Sequence, residues 1–312
     1  MHWLTDHVGQ LDLSLTLRAG QVFCWEFQPE TNEWVGVIGD TVFRLFQESP
    51  GGVSFTFTGT VSEAEAKNIL REFFQLDTDL LNLLEFWRKQ DPGFSKLVPI
   101  DSKFAGIRIC RQDPLECLIS FIVSANNNIK RIHQNLMSIR KKYGRELSDG
   151  VYSFPTLSEL AKATPEELRV LGLGYRAEYI VKTVGMLSAE GRLDTLYGLR
   201  KETDVGVARS FLVQLQGVGR KVADCVSLYA LDFPALAPVD THMLQIAQRL
   251  FSKSIKKDNA MHDVIQEAMI ARFGDKAGWA HCFLFAADLR DLQSDKPVLS
   301  PDSSSKRARV RE

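Results

Sequence analysis

The chain has 312 residues, of which 45% are hydrophobic and 25% charged, a composition typical of globular proteins rather than of disordered or fibrous ones. At about 150 residues per domain, this length favours about two domains. No apolar run reaches the roughly 20 residues that a membrane-spanning helix needs, and the first residues, MHWLTDHVGQLDL, lack the segments of a signal peptide. We therefore expect neither a membrane protein nor a secreted one.

The cysteines indicate a reducing compartment. There are five of them, an odd number, and they are scattered without a C-x-x-C motif. This pattern argues against a disulfide framework, a zinc ribbon and a cysteine-ligated iron–sulfur cluster.

The charge is distributed unevenly along the chain. The formal net charge is −1, but residues 1–100 contain 7 basic and 14 acidic side chains. The remaining residues therefore have a net charge of +6. A nearly neutral chain can thus still present a basic face on its second part, which is compatible with a nucleic-acid partner.

Residues 22–61 have the pattern of a small antiparallel sheet. Short aromatic and β-branched stretches such as WVGVI, TVFRLF and VSFTFTG are separated by turn residues, including Pro29 and Gly39. A helical pattern then begins at Ser62-Glu-Ala-Glu65 and continues through Leu70, Phe73 and Phe74.

The pattern after about residue 104 is predominantly helical. Asp113 as N-cap and Pro114 as first helical residue predict a buried helix that ends at residues 126–128. An amphipathic helix is expected over 129–143, and capping boxes begin at Thr156 and Thr164. Further helices are expected at 178–187, 205–214, 221–231, 241–251, 259–273 and 279–288.

Two glycine-containing turns, at residues 171–177 and 216–222, are similar to each other. In each, a helical stretch is followed by a turn with two glycines and then by a helix that begins near a basic residue. Unpaired N–H groups at the start of a helix form a natural phosphate site. Binding to the DNA backbone is one interpretation, and a pair of ordinary helix–helix connections is the other.

Lys221 and Asp240 are the candidate catalytic residues. Lys221 lies in the first turn of a predicted helix, where the helix dipole and Arg220 favour the neutral amine that a Schiff-base nucleophile requires. Asp240 precedes an amphipathic helix as an N-cap, a role worth about 1 kcal/mol. A carboxylate held there can also face developing positive charge. The plainer alternatives are a surface lysine that contacts phosphate and a cap with no chemistry.

The residues around Lys221 and Asp240 resemble those of the helix–hairpin–helix DNA glycosylases. More narrowly, the chain resembles the eukaryotic-type 8-oxoguanine DNA glycosylases. The similarity is found in order between residues 11 and 290, in segments 20–25, 111–117, 124–129, 171–177, 217–224, 238–242, 277–280 and 285–290.

The resemblance implies an α+β fold. An N-terminal domain with an antiparallel β-sheet and helices is expected at 1–103. An all-α helix–hairpin–helix glycosylase region is expected at 104–292, as two helical subdomains with the cleft between them. A disordered basic tail is expected at 293–312.

The resemblance also implies a mechanism without a cofactor. The damaged base is flipped out of the duplex, and Lys221 attacks C1′ of its sugar. The imine that follows allows β-elimination on the 3′ side, which is an AP lyase activity. Asp240 stays ionised and stabilises the oxocarbenium-like transition state.

By the same resemblance, four residues form the pocket for the lesion base. The carbonyl of Gly20 accepts the N7–H that 8-oxoguanine has and guanine lacks, and Phe285 and Cys225 sandwich the ring. His281 stands where the family has a glutamine that contacts the Watson–Crick edge. A neutral imidazole offers one donor and one acceptor, fewer than an amide. Cys24 replaces a family arginine beside the Gly20 turn.

Other residues are expected to contact the duplex. Asn126 fills the vacated space, Tyr175 wedges beside it, and Arg131 and Arg176 contact the orphaned cytosine. The remaining assignments are phosphate contacts by His242, Gly217 and Gly219 and a structural monovalent cation on the backbone carbonyls of Val213, Leu215 and Val218.

The expected partner is double-stranded DNA that contains oxidised guanine, bound by a monomer without membrane contact. The segment KRARVR has the composition of a nuclear import signal, so the nucleus is the expected compartment, with mitochondria as a second one. Two alternatives stay open at this stage. One is a related glycosylase with a different oxidised-purine preference, such as ring-opened purines; the other is a catalytically silent DNA-binding module.

Overall fold

The computed structural model describes residues 1–5, 9–48, 51–99, 103–251, 255–258 and 260–288. Within these residues, no helix combines the length and apolar character needed to span a membrane. The expected basic tail at 293–312 lies outside the described residues, as do residues 259, 289 and 290 of the segments predicted above.

The N-terminal part contains the antiparallel sheet that the sequence predicts. Its strands are β1 (His2–Thr5), β2 (Glu26–Gln28), β3 (Glu33–Ile38), β4 (Thr41–Gln47) and β5 (Val53–Thr58), in the spatial order β1-β5-β4-β3-β2. Strand β1 was not predicted, and it extends the sheet by pairing His2 with Phe55 of β5. Phe43 and Phe55 are fully buried in a core that Phe74 shares.

The N-terminal part also contains four helices. They are α1 (Leu13–Arg18), α2 (Glu63–Phe73), α3 (Leu80–Gln90) and α4 (Pro92–Leu97). Helix α2 occupies the helical pattern predicted from Ser62, and a capping box with reciprocal bonds between Ser62 and Glu65 begins it. The short helix α1 begins at the N-cap Asp12 and leads directly into the turn at Gly20.

The rest of the described chain is mostly helical, as predicted. The helices are α5 (Pro114–Ser124), α6 (Ile129–Tyr143), α7 (Leu157–Leu160), α8 (Pro165–Val170), α9 (Arg176–Leu187), α10 (Arg192–Gly198), α11 (Val205–Leu212), α12 (Arg220–Ala230), α13 (Thr241–Leu250), α14 (Met261–Phe273) and α15 (Ala277–Asp288). Most of the predicted helix bounds agree to within about two residues. A two-stranded hairpin, β6 (Glu146–Ser148) and β7 (Val151–Tyr152), was not predicted.

One large apolar core joins these helices and positions the site. It extends into the N-terminal part, where Trp87 of α3 packs edge-on against Phe273 and donates to its carbonyl at 3.2 Å. At its centre α5 packs on α12, and the rings of Phe121 and Tyr229 stack with centroids 5.6 Å apart. This contact places the last turn of α12 against the last turn of α5. The boundary at residue 103 stays a prediction.

Candidate active site

Lys221 and Asp240, the candidate catalytic residues, line the same cavity. The cavity has a volume of about 490 Å³, within the roughly 300–1,000 Å³ range of small-molecule sites. The other residues around it are Ser124, Ala125, Asn126, Asn127, Asn128, Arg131, Val222 and Thr241. The cavity therefore combines the two candidate catalytic side chains with residues expected to contact DNA.

Lys221 is half-buried in the first turn of α12, with Nζ 5.1 Å from the centroid of the Phe121 ring. Among the described residues, the ion pairs of this turn are made by Arg220 and not by Lys221. Arg220 lies 3.1 Å from Asp224 and 2.8 Å from Asp263. Arg220 is therefore paired with two carboxylates, of which Asp224 also pairs with Arg209 at 2.6 Å. The expectation that Arg220 acts on the Lys221 amine stays a prediction.

Asp240 is the N-cap of α13, as predicted. Its Oδ1 accepts the backbone N–H groups of His242 at 2.9 Å and Met243 at 2.8 Å. Its other oxygen has no hydrogen bond within the described part of the chain. The local sequence therefore fixes the carboxylate at the rim of the cavity and leaves one oxygen available for a ligand.

Gly20 and Phe285 are neighbours, and two histidines pack on the same phenylalanine. A Cβ placed on Gly20 would lie 3.8 Å from Phe285 Cε1, and Gly20 has a φ of +75°. The ring of His281 stacks on Phe285 with centroids 5.8 Å apart, and His242 meets it edge-on at 5.0 Å. The structure thus brings together three of the four residues expected around the lesion base.

His281 is a buried, neutral imidazole. Burial lowers its pKa to about 4, while Asp240 raises and Lys221 lowers the same pKa. The Pro238 carbonyl lies near the ring but outside hydrogen-bond geometry, so both ring nitrogens lack a partner among the described residues. Since buried polar groups are normally paired, these two atoms are available to a ligand.

All five cysteines are free and buried in the structure. Burial raises the pKa of the Cys225 thiol to about 11, with Lys221 acting in the opposite direction. Burial likewise raises the pKa of Cys24 to about 12, although the Arg140 guanidinium opposes that shift. Both thiols are therefore protonated and chemically quiet at neutral pH.

Two residues that hold the Gly20 segment were missed from the sequence. Gln21 is 1% exposed, donates to the carbonyls of Thr16 and Arg108, and accepts the N–H of Cys110. His133 of α6 lies 2.7 Å from the Phe23 carbonyl through Nδ1. A glutamine within an apolar stretch was the one signal present, and its partners are too distant in the chain to be inferred.

His242 was expected to contact a phosphate. Its Nε2 lies 2.8 Å from a carboxylate oxygen of Asp288, so a phosphate would compete with that carboxylate. The ring is half-buried against Phe285. The phosphate contact stays a prediction.

The residues expected to enter the duplex also lie together. Asn126 is exposed with a φ of +48°. Tyr175 is 50% exposed, and its hydroxyl donates to the Ala125 carbonyl at 3.1 Å. Arg131 is exposed and donates to the Gly172 carbonyl at 3.3 Å. Arg176, in contrast, is only 5% exposed, and its guanidinium is bonded to backbone carbonyls.

The two glycines of the hairpin between α11 and α12 have different surroundings. Gly217 has a φ of +77°, and a Cβ there would lie 2.6 Å from the Tyr179 ring. Gly219 is the N-cap of α12 in extended backbone, and a Cβ there would meet open space. The second glycine therefore leaves room for a large group to approach the N–H groups of α12.

The cation expected on the backbone of Val213, Leu215 and Val218 stays a prediction. These residues lie in the loop between α11 and α12, where the Leu215 carbonyl already accepts the Val218 N–H at 3.2 Å. Among the described residues, no group of three or more His, Cys, Asp or Glu side chains is placed to hold a metal ion.

Comparison with known proteins first defines the class. Residues 119–269 match the family model of the HhH-GPD superfamily of base excision DNA repair proteins. This range includes the hairpin, Lys221 and Asp240. The helical region is thus that of a helix–hairpin–helix base-excision repair protein.

Residues 4–118 match the model of the 8-oxoguanine DNA glycosylase N-terminal domain. The chain is 37% identical over 291 residues to the N-glycosylase/DNA lyase OGG1 of Arabidopsis thaliana, covering 90% of this chain and 78% of that protein. It is 35% identical to the N-glycosylase/DNA lyase of Saccharomyces cerevisiae, covering 92% and 85%. The chain belongs to the 8-oxoguanine DNA glycosylase family.

A solved structure agrees with this placement. The 8-oxoguanine glycosylase/lyase of Clostridium acetobutylicum, in complex with double-stranded DNA containing cytosine opposite 8-oxoguanine, superposes with a TM-score of 0.78. The two chains are 29% identical, and the match covers 89% of this chain and 91% of that one.

Proposed function

We propose that this chain is a bifunctional DNA glycosylase and AP lyase that excises 8-oxoguanine, and ring-opened purines, opposite cytosine. The observation that supports this most directly is that Lys221 and Asp240 line one cavity together with Asn126 and Arg131. Family membership supports the reaction class, since two relatives are N-glycosylase/DNA lyases.

Lys221 is the proposed nucleophile. Its neutral Nζ attacks C1′, the bond from C1′ to the base breaks, and the electron pair leaves with the base. Loss of a proton from nitrogen and opening of the sugar ring give an imine. Removal of a C2′ proton then expels the 3′ phosphate by β-elimination.

Asp240 stabilises the positive charge that develops on the sugar as the base leaves. Two backbone N–H groups fix its Oδ1, so the carboxylate needs no reorganisation during the reaction. Such preorganised charge is effective in a site from which water is excluded.

Discrimination between the lesion and guanine rests on one proton. The proposed acceptor is the carbonyl of Gly20, which would meet N7–H in 8-oxoguanine but the N7 lone pair in guanine. An unpaired buried polar group costs about 1–3 kcal/mol. The proximity of Gly20 to Phe285 supports this assignment, because both residues are proposed to contact the lesion base.

Double-stranded DNA with oxidised guanine is the proposed substrate, bound by a monomer. Asn126 and Tyr175 would occupy the space of the flipped base, and Arg131 would contact the orphaned cytosine. The Gly217–Gly219 hairpin would bind phosphate through its N–H groups. The segment KRARVR would direct the protein to the nucleus, which deletion of that segment and microscopy of the tagged protein would test.

Borohydride trapping on a duplex with 8-oxoguanine opposite cytosine tests the proposal. We expect covalent capture by the wild type and none by Lys221→Gln, because an amide is not nucleophilic. Lys182→Gln is the matched control, since Lys182 is exposed and paired only weakly with Glu178 at 3.8 Å. Capture with a different lesion alone would favour the related-glycosylase alternative, and binding without capture would favour a silent DNA-binding module.

A further inference from the structure

The guanidinium of Arg176 binds the backbone at the end of helix α5. Its Nε and Nη2 donate to the Ala125 carbonyl at 2.8 and 2.6 Å, and Nη2 also donates to the Asn126 carbonyl at 2.7 Å. Its Nη1 lies 3.4 Å from the Leu173 carbonyl. Most of its N–H groups are therefore directed at the protein and not at solvent.

These carbonyls are ones that the helix itself leaves unpaired. The last carbonyls of a helix have no partner within it, and the negative end of the helix dipole favours a cation. Helix α5 ends at Ser124, and Ala125 is its C-cap. Arg176, from the start of α9, thus caps α5 from a different part of the chain.

The same bonds act on Asn126, which immediately follows the cap. Asn126 has a φ of +48°, in the left-handed region, and lines the cavity with Lys221 and Asp240. Asparagine adopts that region more readily than most other non-glycine residues do, and here the Arg176 bonds to the Ala125 and Asn126 carbonyls hold the backbone on both sides of the Asn126 Cα. The Tyr175 hydroxyl adds a further bond to the Ala125 carbonyl at 3.1 Å.

We propose that Arg176 is a positioning residue that keeps Asn126 in its cavity-lining conformation before DNA binds; this inference rests on the proposed function. Family resemblance assigns Arg176 to the orphaned cytosine, whereas this role requires no contact with a base. Arg131 is the natural comparison, because it is exposed and makes one bond of 3.3 Å to the Gly172 carbonyl.

Single-turnover excision of 8-oxoguanine opposite each of the four bases separates the two roles. We expect Arg176→Ala to lower the rate about 10- to 100-fold, as the loss of hydrogen bonds to a charged group does, by the same factor opposite every base. Arg131→Ala should instead weaken the preference for cytosine. A loss in Arg176→Ala confined to cytosine would overturn the proposal.

The coupling between Arg176 and Asn126 in the excision rate gives a second measurement, and a general loss of stability does not change this coupling. We expect Arg176→Ala combined with Asn126→Ala to be no slower than the slower single variant, because both disable the same group. The rate losses caused by Arg131→Ala and Asn126→Ala should instead multiply in the double variant. If the effects of Arg176→Ala and Asn126→Ala multiply, the proposal is wrong.

Two further measurements keep the outcome decisive. If Arg176→Ala does not fold, Tyr175→Phe replaces it, since Tyr175 is half exposed. We expect Tyr175→Phe to lower the excision rate about 3- to 10-fold and to have no effect when Asn126 is already alanine. A loss of the same size in the Asn126→Ala background contradicts the proposal. Binding to a duplex with a tetrahydrofuran abasic analogue opposite cytosine measures the same coupling without chemistry. A failure of the proposed function, seen as absent trapping, is thereby distinguished from a failure of this inference.

Discussion

Gly20 lies next to Phe285, because a Cβ on Gly20 would lie 3.8 Å from Phe285 Cε1, but the left-handed backbone of Gly20, with a φ of +75°, disfavours a residue with a Cβ. Gly20→Ala should therefore lower stability by about 1–2 kcal/mol, the cost of left-handed backbone for an L residue. It should also lower 8-oxoguanine excision far more than that loss explains, because the added methyl blocks approach to the Gly20 carbonyl. Thermal unfolding and single-turnover kinetics measure the two effects.

Gly39→Ala is the matched control for that variant. Gly39 lies between β3 and β4 with a φ of +59° and open space around its Cβ position. It should show a similar loss of stability with unchanged excision. Equal kinetic losses in the two variants would mean that Gly20 has no specific role at the base.

The parts of the fold that local sequence determines were predictable. The sheet follows from aromatic and β-branched stretches separated by turn residues, and α2 follows from the helical pattern that begins at Ser62. Helix α1 was missed because Leu13, Leu15 and Leu17 alternate as in a strand. Its Asp12 cap and its burial on the sheet override that pattern.

The candidate site likewise contains residues whose position local sequence predicts and residues whose position it does not. Asp240 was predictable because its N-cap bonds are to the two and three residues that follow it. The bonds of Arg176 to Ala125 join residues 51 apart, and those of Gln21 to Arg108 join residues 87 apart. No local pattern specifies such partners, so their positioning roles required the structure.

Asp240→Asn should separate the cap from the chemistry. Asparagine is about as good an N-cap as aspartate, so the unfolding temperature should change little. Loss of the charge should lower single-turnover excision by about 100-fold or more, with DNA binding retained. Asp79→Asn, which alters the exposed N-cap of α3, should leave the excision rate unchanged. An Asp240→Asn variant with wild-type kinetics would remove Asp240 from the mechanism.

His281 should make the stability depend on pH in a defined window. Its pKa falls from 6.5 to about 4 on folding, so the unfolded chain binds more protons than the folded one between these values. Stability should therefore be fully present above about pH 6.5 and decline as the pH falls toward 4. Unfolding temperatures of the wild type and His281→Gln across pH 4–8 measure this, and the variant should show a shallower decline.

A histidine at the surface provides the control for that comparison. His2→Gln removes a partly exposed ring that pairs with Glu63 and controls for the loss of a histidine ring as such. If His281→Gln keeps the full wild-type slope, the His281 imidazole is not the group that resists protonation. In the wild type, excision between pH 6 and 8 should show no step from His281, because the ring stays neutral there.

Replacement of the two hairpin glycines by alanine should affect different properties, stability at Gly217 and DNA binding at Gly219. Gly217→Ala places a Cβ 2.6 Å from the Tyr179 ring in left-handed backbone, so the free energy of unfolding should fall by about 2–4 kcal/mol. Gly219→Ala meets open space in extended backbone and should cost no more than about 1 kcal/mol. Its methyl would instead occupy the space through which a phosphate reaches the N–H groups of α12. We therefore expect weaker binding to undamaged duplex, measured by fluorescence anisotropy at fixed salt, and wild-type affinity in Gly219→Ala would exclude the hairpin from the DNA interface.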